Sequence, residues 1–354
     1  MNDTDKIRIG ILTSGGDAPG MNNVINGVYK TLRSMSFENS KAGTGSTDKR
    51  KFELVLIKNG YKGLYESEFQ TINAQWIQLI DLGTQMGGTI IGSARFKEFE
   101  NEATRKKCID ILRKENIKGL IAIGGDGTTT GLQKISVESG MQCIGIPGTI
   151  DNDVNSSEFT VGFDTALNTI VENLDKIRQT ADSHSRIMIV ETMGRECGDL
   201  ALHAAAAANC DLVATKDLNI LEPALIELIK QMYTKKQRRS MVVVVTENLY
   251  DVKKVAKMIE AETKCETRSV VLGQIQRGGT ASAFDRYLAT MMGVFAAERF
   301  ANSNKSSICV GLQGNRLVAI EIQDALNTPK TPEKNSALAA KVLRLSGIIT
   351  KKNI

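Results

Sequence analysis

Metal-site and disulfide signatures are missing from this chain. Its six cysteines (Cys108, Cys143, Cys197, Cys210, Cys265 and Cys309) never form a C-x-x-C pair, and only His184 and His203 are available to help them bind an ion. That scarcity argues against a zinc centre or a disulfide framework and for a reducing compartment. Aromatic residues are 5% of the chain and the net charge of +5 is modest and dispersed, apart from "KKQRR" at 235 to 239. Base stacking and a basic groove are therefore disfavoured, and anionic small molecules are better partners than nucleic acid. No apolar run approaches the roughly 18 residues of a membrane span, and "MNDTDKIRIG" is not a basic, apolar leader. A soluble, cytoplasmic protein with no membrane or nucleic-acid partner is expected.

What is present is a rhythm of short apolar runs. They lie at 7–13, 52–58, 119–125, 142–148, 186–192, 241–247, 269–275 and 307–313, rich in Val and Ile and bounded by Gly or polar residues. Such runs read as buried parallel strands. Helices are expected at 20–35, 102–116, 128–140, 197–208, 252–264 and 283–301, and after "TVGFD", where Ala166, Ile170, Leu174, Ile177 and Ala181 mark one apolar face. The fold class is α/β, and 354 residues suffice for two domains. The polar segment 38–51 reads as an exposed loop.

In open α/β sheets ligands sit at the carboxyl ends of the strands, and four signals are expected there. "TSGGDAPGMN" at 13–22 has glycines that let backbone approach an anion, although a plain strand-to-helix turn explains it equally well. "GGDGTTTG" at 124–131 sets Asp126 among glycines. A carboxylate there repels bare phosphate, but it suits a Mg²⁺–phosphate pair, with Asp126 on the metal and Gly125, Gly127 and Thr128 on nucleotide phosphates. A helix-capping Asp is the simpler explanation of that motif alone. In "PGTIDND" at 147–153, an extended chain would point Asp151, Asp153 and the Thr149 hydroxyl the same way, as a base for phosphoryl transfer to an alcohol requires. An Asx-rich turn is the alternative. Finally, Arg195, Arg268, Arg277 and Arg186 suit bidentate phosphate binding near strand ends, and Glu247 can accept bonds from sugar hydroxyls.

Together these motifs resemble the 6-phosphofructokinase family. "GILTSGGDAPGMN", "GSARF", "IGGDGT", "PGTIDND", "MGRECGDL" and "LGQIQRGG" follow the family's order from residue 7 to about 327. The resemblance implies two Rossmann-like three-layer α/β/α domains with the active site in the cleft between them. Residues 1–162 and 276–326 would form the nucleotide domain, and 163–275 with 327–354 the sugar-phosphate domain. It implies phosphoryl transfer from Mg-ATP to the 1-hydroxyl of fructose 6-phosphate, giving fructose 1,6-bisphosphate and ADP, the committed step of glycolysis.

By the same resemblance Asp151 is the base, flanked by Thr149 and Asp153, and Asp126 carries Mg²⁺. Gly16, Tyr61, Arg95, Phe96 and residues 125–128 contact ATP, while Arg95 and Arg195 bridge the transferred phosphoryl group and the sugar. Ile150, Met193, Gly194, Glu247, Gln274 and Arg277 belong to the sugar-phosphate site. Arg186 and Arg268 reach the 6-phosphate of a neighbouring subunit, so a homotetramer is expected.

Two departures are visible. Gln274 replaces the His that many members use for the substrate phosphate, keeping a donor but never a charge. At the family's effector site for ADP or phosphoenolpyruvate, Lys30, Arg178, Asp211, Lys236 and Arg238 match, but Asn26 and Ile77 stand where arginines are usual. ATP is favoured over pyrophosphate as donor because Gly127 and Gly148 occupy positions where pyrophosphate-dependent relatives carry Asp and Lys. An NAD or lipid kinase has no need of "PGTIDND", and a non-catalytic sugar-phosphate sensor gains nothing from a base.

Overall fold

A strand buried on both faces requires apolar side chains in both directions, and the β-branched runs of this chain meet that requirement. The computed structural model describes residues 6–38, 50–235, 239–302, 306–327 and Lys341. They form two compact units. The first comprises the described residues of Met1–Thr149, Val154–Gly162 and Arg277–Pro329, the second Ile150–Asp153 and Phe163–Gln276. The sequence boundary at 162 leaves Ile150–Asp153 with the first unit, whereas in the structure this turn joins the second, where Asn152 bonds to Asp199. Apart from Lys341, the segment 328–354, the core of the 38–51 loop at 39–49 and residues 236–238 of "KKQRR" lie outside the described residues.

In chain order the first unit begins β1 (Lys6–Thr13), α1 (Met21–Glu38), β2 (Lys51–Ile57), α2 (Gly60–Glu66), β3 (Phe69–Thr71), α3 (Ala74–Gly83), α4 (Glu102–Lys114), β4 (Ile117–Gly124), α5 (Asp126–Ser139) and β5 (Gln142–Pro147). The second supplies α6 (Phe163–His184), β6 (Ile187–Thr192), α7 (Asp199–Ala207), β7 (Leu212–Ala214), α8 (Glu222–Lys235), β8 (Met241–Thr246), α9 (Val252–Thr263) and β9 (Thr267–Val271). The chain then returns to the first unit with α10 (Ala283–Ala301), β10 (Ile308–Gln313), β11 (Arg316–Glu321) and α11 (Ile322–Asn327).

The first sheet runs β11-β10-β5-β4-β1-β2-β3, parallel throughout except for the antiparallel edge strands β11 and β3. The second, β7-β8-β6-β9, is wholly parallel. Leu12, Val55, Ile57, Leu112, Leu120 and Leu132 pack in the core of the first unit. In the second, every residue of Met241–Val245 is fully buried, each contributing about 1.5–3 kcal/mol of transfer free energy.

Two features position the sites. Helix α5 begins at Asp126, two residues before the expected start, so the carboxylate sits in the first turn, where the helix dipole favours negative charge. Strand β9 stops at Val271, short of the expected 275, because Gly273 enters the left-handed region (φ 56°) and starts a 3-10 turn at Gly273–Arg277. In that turn Gln276 is buried, donating to the Gly273 carbonyl (2.9 Å) and accepting from the Met193 N–H (3.0 Å).

The return of the chain is locked where α10 crosses α1. A Cβ at Gly293 would lie 2.5 Å from the Val24 carbonyl oxygen, and one at Gly27 2.6 Å from that of Thr290. Backbone, not side chain, forms this contact. Gly293→Ala is expected to destabilise the first unit by about 1–3 kcal/mol through overpacking, read as a thermal unfolding midpoint lowered by several degrees with the circular dichroism of the folded state retained.

Candidate active site

The carboxyl ends of β1, β4 and β5 are stitched together in the first unit. Ser14, just beyond β1, donates its N–H to the Ile123 carbonyl at 3.1 Å, and its own carbonyl accepts the Thr128 hydroxyl at 3.0 Å. Gly15 takes φ 87°, a conformation that glycine adopts without strain. Its N–H reaches the Ala94 carbonyl (3.3 Å) and its carbonyl accepts the Ser93 hydroxyl (2.8 Å). The Gly148 N–H donates to the Gly124 carbonyl at 3.0 Å, and the Thr160 hydroxyl to that of Thr149 at 2.6 Å. The "TSGGD", "GSARF", "GGDGT" and "PGT" segments therefore share one hydrogen-bonded face.

On that face Asp126 is half-buried and Gly127 exposed, with no atom within 4 Å of a Cβ at 127. Thr128 is buried, Arg95 exposed and Phe96 half-buried, its ring 5.5 Å from that of Tyr65. Arg277 lies beside the first glycine turn. Its Nη1 donates to the Asp17 carbonyl at 3.3 Å and would stand 2.8 Å from a Cβ at Gly16. A single carboxylate next to open space suits Mg²⁺, which completes its shell with waters and substrate phosphate oxygens.

Tyr61, expected against the nucleotide, lies buried beneath the glycine turn. Its ring is 4% exposed and stacks on Phe99 at 4.0 Å, and its hydroxyl donates to the Thr128 carbonyl at 2.7 Å. Burial holds that phenol well above its ordinary pKa, so it remains a donor. The side chain props up the glycine turn from beneath.

The second unit presents a different set at the carboxyl ends of β6 and β8. Gly194 (φ 137°) and Arg195 (φ 55°) bend the chain after β6, and the Arg195 N–H donates to Glu247 Oε1 at 2.9 Å. Met193 is buried, Arg195 and Gln274 are exposed, and Glu247 is half-buried. The Ile150–Asp153 turn joins this group. It is not extended as expected, because Asn152 takes φ 53°, so alternation along a strand does not align its carboxylates. Ile150 and Asp151 are buried, and Asp153 Oδ1 is buried with no hydrogen-bond partner among the described residues.

Arg186 and Arg268 are elsewhere, contrary to the expectation that all four arginines cluster near ligand-binding strand ends. Arg186 precedes β6 and Arg268 is the second residue of β9, adjacent parallel strands, so both lie at the amino ends. The six residues of β6 put them roughly 20 Å from Met193. They are bridged by one carboxylate, with Arg186 Nε 2.8 Å from Glu266 Oε2 and Arg268 Nη2 2.6 Å from Glu266 Oε1.

Of the effector candidates, Lys30, Arg178 and Asp211 are described, and each has a side-chain partner. Asp81 pairs with Lys30 at 2.9 Å and accepts the Asn26 amide at 3.1 Å, and both bonds hold its carboxyl below the usual range. Arg178 Nη2 donates to the Ala208 and Asn209 carbonyls beyond α7 and its Nη1 lies 3.6 Å from buried Asp211, which accepts the Val242 N–H. Ile77 is half-buried on α3, and Lys236 and Arg238 lie outside the described residues.

Glycine turns and an acid-bearing helix start at the carboxyl ends of parallel strands are the anatomy of a phosphate-handling α/β protein. Residues 8–300 match the phosphofructokinase family model. The ATP-dependent 6-phosphofructokinase of Histophilus somni (strain 2336) is 42% identical over 332 residues, 94% of this chain and 97% of that protein. The chain belongs to the phosphofructokinase family. Phosphofructokinase from Saccharomyces cerevisiae superposes with a TM-score of 0.80 at 28% identity over 96% of this chain, which spans about half (48%) of the yeast chain. The pyrophosphate-dependent enzyme of Nitrosospira multiformis shares the fold, with a TM-score of 0.78 at 19% identity over 96% of this chain and 92% of its own.

Sequence reasoning overlooked Ser14, Ser93 and Asp199 as organisers of these faces, because their partners are distant in sequence. It also passed over Glu191, a half-buried residue of β6 whose pKa is raised, first by burial and then by the charge of Glu247. A carboxyl raised in the folded state contributes its stability below the unfolded pKa and loses it as pH rises through the folded one. Glu191→Gln is therefore expected to raise the unfolding midpoint at pH 7–8 and to leave it unchanged near pH 4, measured by thermal melts across that range.

Proposed function

We propose that this chain is an ATP-dependent 6-phosphofructokinase, transferring the γ-phosphoryl group of ATP to the 1-hydroxyl of fructose 6-phosphate. The observation that carries the reading is the 42% identity to an enzyme of that name over 94% of the chain. The stitched glycine turns around Asp126 and the carboxylate turn of Asp151 supply the side chains that the reaction needs.

In this reading the first unit takes the nucleotide. Backbone at Gly16, Gly125, Gly127 and Thr128 faces its phosphates, with Arg95 and Phe96 beside them. Asp126 would hold Mg²⁺, which neutralises charge on the phosphate oxygens when bound. The second unit takes the sugar. Met193 and Gly194 line it, Glu247 accepts from its hydroxyls, and Gln274 and Arg277 serve the phosphate end. Asp151 removes the proton from the 1-hydroxyl as the new P–O bond forms, with Thr149 and Asp153 flanking it and Ile150 packed behind. Arg95 and Arg195 stabilise the charge spread over the transferred group.

The donor is ATP. Gly127 leaves open space for a nucleotide, whereas a side chain at Gly148 would strike Ile123 Cγ2 at 2.8 Å and Met21 Cε at 3.1 Å. The test is steady-state kinetics with ATP and pyrophosphate in turn, on the native chain and on Asp151→Ser. Turnover with ATP, reduced about 10²–10⁴-fold by the substitution, is expected. Turnover with pyrophosphate alone would overturn the donor, and an unimpaired Asp151→Ser the base.

Arg186 and Arg268 complete the site of a neighbouring copy, because a sugar phosphate does not span the roughly 20 Å that separates them from Met193. The protein is thus a homo-oligomer, a tetramer in the family's pattern. Asp151→Ser and Arg268→Ala chains, each feeble alone, are expected to regain activity when dissociated and reassembled together. Recovery no greater than the sum of the two would place Arg268 outside the site.

A further inference from the structure

We infer that Asp199 is a positioning residue for phosphoryl transfer, holding Asn152 and through it the turn that carries Asp151. The inference rests on the reading of Asp151 as the base.

Ile150–Asp153 belongs to no helix or strand, and Asn152 sits at φ 53°, a conformation that Asn tolerates but does not enforce. Its side-chain amide donates to Asp199 Oδ2 at 2.7 Å, a charge-assisted bond of the strong kind. Its carbonyl is 3.9 Å from the Cys197 thiol. That thiol is pushed up to about 12, by burial first and then by the charge of Asp199, with Asp153 contributing less. It therefore stays protonated and able to donate, and both carboxylates lie near it.

Asp199 is unusual for a purely structural residue. It is 6% exposed, yet its Oδ1 has no hydrogen-bond partner among the described residues. A buried carboxylate with one bare oxygen is costly, and such groups are normally satisfied. Its place as the first residue of α7 offsets part of that cost through the helix dipole. Its carboxylate accepts the side-chain amide of Asn152, next to the base, with the Cys197 thiol beside it. A misplacement of about 1 Å at a reacting group can lower the rate on the order of 10²-fold, so the bond acts on kcat rather than on binding.

The experiment compares Asp199→Ala, Asp199→Asn, Asn152→Ala and the Asn152→Ala/Asp199→Ala double variant in the full-length protein. Turnover, KM for each substrate and direct binding of fructose 6-phosphate are measured. Asp199→Ala is expected to lower kcat about 10–100-fold with both KM values within about threefold, and Asp199→Asn, which still accepts the amide, to stay within a few-fold of native. The double variant should be no worse than the poorer single, because both act through one bond. An Asp199→Ala enzyme with native kcat, or an Asp199→Asn enzyme as poor as Asp199→Ala, overturns the inference. If Asp199→Ala does not fold, Asn152→Ala and Asp199→Asn carry the same test. Full activity of Asp151→Ser would instead remove the reading beneath it, and the two failures are thereby distinguished.

Discussion

The glycine-turn face of the first unit depends on one residue beyond the end of a strand. Ser14 gives its N–H to Ile123 at the tip of β4 and takes the Thr128 hydroxyl on its carbonyl. These bonds tie the first glycine turn to the helix that begins with Asp126, and Tyr61 secures Thr128 from the interior. Without them two neighbouring strand ends would carry independent loops. Backbone N–H groups aimed at an anion serve only if they do not have to reorganise when it arrives.

The second unit shows how parallel strands divide labour between their two ends. At the carboxyl ends of β6 and β8, Arg195 and Glu247 bend toward a common face. At the amino ends Glu266 holds two arginines in register through both of its oxygens. In each place a carboxylate at the end of one strand holds a group at the end of the neighbouring strand. The Ile150–Asp153 turn likewise has its Asn152 amide held by Asp199, a residue distant in sequence.

The long central strands and the helices between them were legible because each is a continuous Val- or Ile-rich run or an apolar stripe. Strands β3 and β7, three residues each, and the edge strand β11 were not, since half-buried or very short segments carry no distinctive pattern. Helices α2, α3 and α8 also escaped, although Leu225, Ile229 and Met232 give α8 a regular buried face. The motif residues Asp126 and Asp151 could be picked out because carboxylates among glycine and asparagine are conspicuous. The packing of Tyr61 and Arg178 could not, because a ring stacked on Phe99 and a guanidinium clasping the carbonyls beyond α7 depend on contacts that only the fold creates. Strand direction also lay beyond a linear reading, and it alone separates Arg186 and Arg268 from the other arginines.

The late return of the chain has a consequence for how the protein is made. Strand β10 pairs with β5, and α10 packs against α1 through backbone contact at Gly27 and Gly293. A ribosome that has released residues only as far as Gln276 has supplied all four strands of the second sheet and an unfinished first sheet. The nascent chain then exposes the edge of β5 and the bare groove of α1, surfaces that invite pairing with other chains. The second sheet is free to form during synthesis, whereas the first must wait for the last fifty or so residues of its own unit to emerge. Chaperone demand during translation should therefore peak late, over the stretch between β9 and β10.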